Sequence, residues 1–413
     1  MLRRTFPSIA LAFMAFAVAA LFTLSVVSCR RWMEVRVKEP AEALTPVGSS
    51  RIPEAIDDLP ISSLRKAVEQ SLVYLDRLPP ESPFVYGSST VTAEQMKESL
   101  YAFLRLLDSP LADTERSRRL REEFQWFKAR GRDLFGHVLF TGYYEPVLEG
   151  ALRPVFPYEY PLYRPPRDQV RIDLGAFRDH LRGEQLIGRL EGKTVVPYYS
   201  RAEIDGGGAL ADRGLELLWL KDAVDAFFLH IQGSGQIVLP DGQKVRVHYA
   251  GSNGRPYRSI GRVLIERGDI PDSEMSMQAI RAFLQNHPQK MQELLFNNPS
   301  YVFFRFVEDG PLGSLDVPVT AGRSIATDQH LFPRAGLAFI KARKPEVNAR
   351  GEITGWKTFS RFVLNQDTGG AIRGAGRVDL FCGTGSEAER VAGHMKHNGQ
   401  LYFLLWKGVI KAG

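Results

Sequence analysis

Two hydrophobic textures divide the chain. Up to about residue 130 apolar residues recur at helical spacing; from Val138 onward they alternate or run in short blocks. Leu64, Val68, Leu72 and Leu75 share one helical face, with Ser62 or Ser63 as the cap and Pro79-Pro80 as the stop. Thr92 and Gln95 stand at capping-box spacing ahead of a stripe of Met96, Leu100, Phe103, Leu104 and Leu107. Asp113 or Thr114 starts a third, Arg-rich helix that runs toward Arg130. Strands are then predicted over 138–144, 194–199, 226–232 and 236–239. Pro240-Asp241-Gly242 turns the last of these into an alternating strand at 245–249. A helical interlude over 273–296 is broken at His287-Pro288. Strands return at 302–307, 317–320, 337–340, 359–365 and 377–381. A helix capped by Ser386 with Glu389 and a strand at 401–406 close the chain. There is no internal repeat and no low-complexity tract, and the pattern predicts a β-rich α+β protein.

The first 28 residues differ from all of this. Arg3-Arg4 precede an almost wholly apolar run from Ile9 to Val27, followed by Val26-Val27-Ser28-Cys29. This resembles a bacterial lipoprotein signal peptide (1–28) in which Cys29 becomes the lipidated N-terminus; a plain N-terminal membrane anchor is the alternative. Both put the remainder outside the cytoplasm, and Arg30, where Asp would signal inner-membrane retention, favours the outer membrane facing the periplasm. Residues 29–60, with several Pro and charges, read as a linker.

Composition narrows the field modestly. The 413 residues are 44% hydrophobic and 24% charged, enough for two or three globular domains. The formal charge is +6, with Arg3 and Arg4 contributing two, which is too small to argue for nucleic acid and fits an anionic envelope surface. Cys29 and Cys382 are the only cysteines, so neither a disulfide framework nor a cysteine-based metal site is expected.

Candidate chemistry gathers in a few segments. Asp379 sits in a predicted strand among Val, Leu and Phe, after a glycine-rich turn. Desolvation there would hold its proton toward neutral pH, as a proton donor requires, although Arg377 on the same strand face would oppose this. Asp367 precedes Thr-Gly-Gly and suits a turn; Asp316 and Asp328 flank a loop with Arg323. In Phe140-Thr-Gly-Tyr-Tyr-Glu-Pro146, alternation lets one of Tyr143 and Tyr144 line a cleft while the other packs. Gln232 and Ser234 fall at the end of an apolar strand, and the spacing around Ser234 is not that of a hydrolase elbow. Ser252 and Asn253 lie in a loop rich in groups that suit sugar hydroxyls and acetamides. Gly383-Thr-Gly-Ser-Glu-Ala388 has dinucleotide-like spacing but lacks the later acidic residue. His394 and His397 fall on one solvated helix without metal-ligating partners.

Taken in order, FTGYYEP, DAFFLHIQGSG, YAGSNGRPYRSIG, NPSYVFFR, VPVTAGRSIATD, QDTGGAIRGAGRVDLFCG and YFLLW resemble the membrane-bound lytic murein transglycosylase A family across most of residues 135–407. The resemblance implies a double-psi β-barrel built from 61–146 and 303–413, with a smaller β-domain inserted at 147–302 and a glycan groove between them. It implies three module aspartates at Asp328, Asp367 and Asp379, with Asp379 the sole catalytic residue and Asp367 supporting it. Tyr143, Tyr144, Gln232, Ser234, Ser252 and Asn253 would contact peptidoglycan strands. Glu145 departs from some relatives. The implied reaction is cleavage between MurNAc and GlcNAc by the muramyl C6 hydroxyl, leaving a 1,6-anhydro end without metal or nucleotide cofactor. Two alternatives stay open: a water-using glycosidase with an Asp367/Asp379 pair, and a lipid-anchored peptidoglycan-binding protein that does not cut.

Overall fold

The computed structural model describes residues 37–348 and 350–410. The apolar run before Cys29, and Cys29 itself, lie outside the described residues. Among those described, no helix is long and apolar enough to cross a membrane.

Six strands close into a barrel. They are β1 (Val138–Glu145), β2 (Ser324–Ala326), β3 (Leu337–Val347), β4 (Ile353–Asp367), β5 (Arg377–Thr384) and β6 (Lys396–Trp406). The ring runs β1-β6-β3-β4-β2-β5 and back to β1. Its β4–β2 and β5–β1 pairings are parallel and the rest antiparallel. Closure leaves no free edge within the ring, and the fold is a β-rich α+β double-psi barrel with a second β-domain. Phe339, Phe362, Val363, Phe403 and Leu405 fill one continuous core with the faces of two helices, Ile61–Asp76 and Ala93–Asp108. The expected apolar stripe of the first helix is buried, but its cap residue is Pro60, with Ser63 Oγ donating to the Pro60 carbonyl. The Thr92/Gln95 capping box is formed.

The supposed linker is partly structural. Leu44–Val47 pairs with Phe124–Ala129, which extends the barrel sheet from β6. Asp57 accepts from the fully buried Arg323 guanidinium at 2.6 Å, and Asp58 pairs with Arg361 at 2.8 Å. Buried guanidinium groups need such partners, so these aspartates hold the segment on the barrel. The Arg-rich helix ends at Glu123, because Phe124 to Ala129 join the sheet instead.

The second domain holds a six-stranded sheet, in the order Val302–Val307, Lys244–Ser252, Ser234–Val238, Val147–Ala151, Glu216–Leu220 and Tyr160–Tyr163. A three-stranded sheet covers Val170–Asp173, Gln185–Glu191 and Thr194–Pro197. The hairpin turned at Pro240-Asp241-Gly242 is formed, and the helical interlude splits into Met277–Asn286 and Pro288–Phe296.

Four elements differ from the sequence pattern. Ala223–Gln232 is a helix rather than a strand: Asp222 caps it, Gly233 ends it in the left-handed region, and two separate cores bury opposite sides of it. An apolar run buried on two sides loses the polar face that marks a helix. Residues 317–320 form no strand beyond one bridge at Pro318. The helix Gly385–His394 is preceded by Thr384 and has no Ser386 cap; Glu389 pairs with Arg281 instead. His394 ends that helix and His397 lies on β6, so the two do not share one helix.

Candidate active site

Asp367 on β4 and Asp379 on β5 both stand opposite Ala326 on β2, which lies between them. Directly opposed residues project from the same face of a sheet. Two strand spacings put their backbones about 9–10 Å apart, and the buried Tyr143 hydroxyl lies near both carboxylates. On the other side, Asp379 stands opposite Thr141 of β1. The row is produced by a bulge. Asn365 opposes Ile325 and Asp367 opposes Ala326, so Gln366 is the extra residue. Gln366 turns inward and is completely buried, bonded to Ser324, Ala67 and Ser71.

This row floors a cleft of about 1060 Å³ between barrel and second domain. Asp379 lies deep in it with one edge open. Its Oδ1 accepts from the Thr141 hydroxyl and, at 3.4 Å, from Arg377 Nε; Oδ2 has no protein donor among the described residues. Burial raises the Asp379 carboxyl above its ordinary range, against the opposing Arg377 charge and Thr141 bond. Arg377 thus reaches the acid through one nitrogen and does not grip it in a two-pronged fork.

Asp367 is differently employed. Its Oδ1 accepts from the backbone N–H of Ser314 at 2.9 Å and of Thr368 at 2.8 Å. Burial nevertheless raises its pKa to about 6. The Tyr143 hydroxyl is buried beside it without a well-formed hydrogen bond, and burial holds that phenol protonated well above its usual range. Asp328 is a brace, 6% exposed, accepting from His330 N and, at 2.8 Å, from Gly374 N.

The remaining sequence candidates separate into two groups. Tyr143, Gln232, Ser234 and Ser252 line the cleft. Gln232 ends its helix there, and its side-chain oxygen accepts from Tyr144 N–H at 3.1 Å. Tyr144 does not line the cleft. Strand alternation sends its ring to the opposite side, buried against Ala388 and Ala392. Asn253 is also not a contact residue. It is completely buried, donating to the carbonyls of Tyr199 and Pro299 and accepting from Tyr301 N and Arg255 N. Every hydrogen-bonding position of its amide is spent on holding loops together. Glu145 is a buried tie as well, linking Arg246 to Thr384. Sequence reasoning missed Thr141, which bonds to the acid, and Tyr257, which lines the cleft. Thr141 could have been found by stepping two residues back from Tyr143 along the same strand face.

Two family models match the chain, the MltA specific insert domain over residues 139–305 and the 3D domain over residues 323–405. Membrane-bound lytic murein transglycosylase A of Escherichia coli K12 is 33% identical over 326 residues, 78% of each chain. The chain belongs to the lytic murein transglycosylase A family. The Vibrio cholerae relative of the same name is 35% identical over 277 residues, 66% of this chain and 67% of that one. Among solved members, the membrane-bound lytic murein transglycosylase of Agrobacterium tumefaciens aligns with a TM-score of 0.71 and 31% identity, covering 88% of this chain and 98% of that one. The E. coli member with bound chitohexaose aligns with a TM-score of 0.65 and 29% identity, covering 90% and 98%.

Proposed function

We propose that this chain is a peptidoglycan lytic transglycosylase in which Asp379 acts first as acid and then as base. The observation that carries this reading is the state of one carboxyl: Asp379 lines the cleft, burial raises its pKa, and its Oδ2 has no protein donor among the described residues. Family membership and a relative crystallised with an N-acetylglucosamine oligomer support the glycan substrate.

The chemistry balances on one proton. Asp379 gives its proton to the oxygen leaving C1 of MurNAc, which departs as the GlcNAc hydroxyl. The muramyl C6 oxygen bonds to C1 as the glycosidic bond breaks, and its proton passes to the Asp379 carboxylate. No water is consumed and the acid is regenerated. An attacking hydroxyl in the same ring has a high effective concentration, so a second carboxylate is not required. A paired glycosidase would need Asp367 as base or nucleophile. The two backbone donors on Asp367 Oδ1 favour a supporting role instead.

Tyr143, Gln232, Ser234 and Ser252 are proposed to contact the glycan, in a groove between the barrel and the inserted domain. Lipidation of Cys29, anchoring the chain to the outer membrane facing the periplasm, agrees with its signal-like start and with relatives named membrane-bound.

Mass spectrometry of muropeptides released from purified sacculi tests the reaction. Products ending in 1,6-anhydroMurNAc, one water lighter than hydrolysed ends, are expected. Asp379→Asn is expected to bind sacculi and release nothing. Hydrolysed ends, or wild-type release by Asp379→Asn, would refute the assignment.

A further inference from the structure

The loop joining β4 to β5 carries a guanidinium for which the cleavage step has no use. Arg373 lines the cleft and is exposed there. Its hydrogen bonds among the described residues go to backbone only, from Nη1 to the carbonyls of Ile372 at 3.2 Å and Gly369 at 3.5 Å. The three other cleft arginines, Arg255, Arg305 and Arg377, are paired with Glu203, Asp316 and Asp379. Arg373 has no carboxylate within ion-pair distance among the described residues. The charge that opposes the Asp379 shift is that of Arg377.

The backbone carrying it is nonetheless pinned. Ile372 and Ala375 are 2% and 3% exposed. Gly374 N–H is bonded by Asp328, and the Gly376 carbonyl accepts from Leu139 N at 2.8 Å. An uncommitted cation on a fixed loop beside a glycan-sized cleft is suited to an anion, and the guanidinium fork matches a carboxylate. Peptidoglycan carries carboxylates next to the scissile bond: on the lactyl group of a bare muramyl residue, or on the peptide stem joined to that group by an amide. Polymers of N-acetylglucosamine carry none.

We propose that Arg373 binds a carboxylate borne by the muramyl residue and so selects murein over uncharged glycans. The inference rests on the murein reading above. Binding by the detergent-solubilised full chain in an Asp379→Asn background tests it without requiring cleavage. The probes are intact sacculi, sacculi stripped of stems by an amidase, and chitohexaose. Arg373→Ala is expected to weaken binding to sacculi about tenfold, as for loss of one charged hydrogen-bonded contact. The loss should shrink at high salt and be partly restored in Arg373→Lys, with chitohexaose affinity unchanged. A loss confined to intact sacculi assigns the carboxylate to the stem, and one confined to stripped sacculi assigns it to the lactyl group. A loss on both places the site within reach of either. Unchanged binding to both sacculi, or an equal loss for chitohexaose, overturns the proposal. Failure of the wild-type chain to cleave sacculi would sink the transglycosylase reading separately, while the binding comparison would still decide Arg373.

Discussion

Replacing Asp367 by Asn should make the protein more stable in alkaline solution than in its natural form, and no more stable in acid. Burial raises the folded pKa of Asp367 from 3.8 to about 6 despite two backbone donors. The folded state therefore binds more protons than the unfolded chain between those values, and stability falls as pH rises through that window. Well above pH 6 the full cost of holding the charge is present. A displacement of this size corresponds to roughly 2–3 kcal/mol. Asparagine keeps the oxygen that accepts from Ser314 N and Thr368 N, and its amide nitrogen can face the Tyr143 hydroxyl without charge. Urea unfolding of both proteins at pH 4, 6 and 8 measures the effect. The expected advantage of Asp367→Asn is near zero at pH 4 and about 2–3 kcal/mol at pH 8. A difference that does not vary with pH, or a variant less stable at pH 8, would show that Asp367 ionises without penalty. Murein cleavage should persist in this variant at a reduced rate, whereas Asp379→Asn should abolish it.

Thr141→Val removes a hydrogen bond that favours the charged form of Asp379, leaving the shape of the strand intact. The alkaline limb of the pH–activity profile should move to higher pH; an unmoved limb would place the titrating acid elsewhere. Asn253→Ala should lower stability by about 2–4 kcal/mol, because four backbone groups lose their partner in a buried site. A variant that melts normally but binds glycan poorly would return Asn253 to the list of contact residues. Arg323→Met leaves Asp57 without its cation and strips hydrogen bonds from the Pro60 and Phe362 carbonyls. Breaking a buried pair in this way should cost about 3–5 kcal/mol, seen as a lower thermal midpoint.

The amino-acid sequence alone determined those elements whose signal is local. The Thr92/Gln95 cap, the Pro240-Asp241-Gly242 hairpin and the break at His287-Pro288 depend on neighbouring residues, and the structure contains all three. The desolvation of a carboxylate among apolar strand residues was legible for the same reason, because the composition of its immediate neighbours sets it. Tertiary structure decided whatever depended on a second surface. Helix Ala223–Gln232 reads as a strand until two cores are seen to bury it from both sides. Tyr143 and Tyr144 are equivalent on paper, and only the helix packed behind β1 settles which ring is withdrawn from the cleft. Asn253 looks like a sugar-binding amide until Tyr199, Pro299 and Tyr301, all distant in sequence, join Arg255 in taking up its hydrogen bonds. Asp367 and Asp379 face one cleft because a bulge at Gln366 brings both opposite Ala326. A single inserted residue resets every side chain beyond it, and no local rule states where a distant strand will require that step.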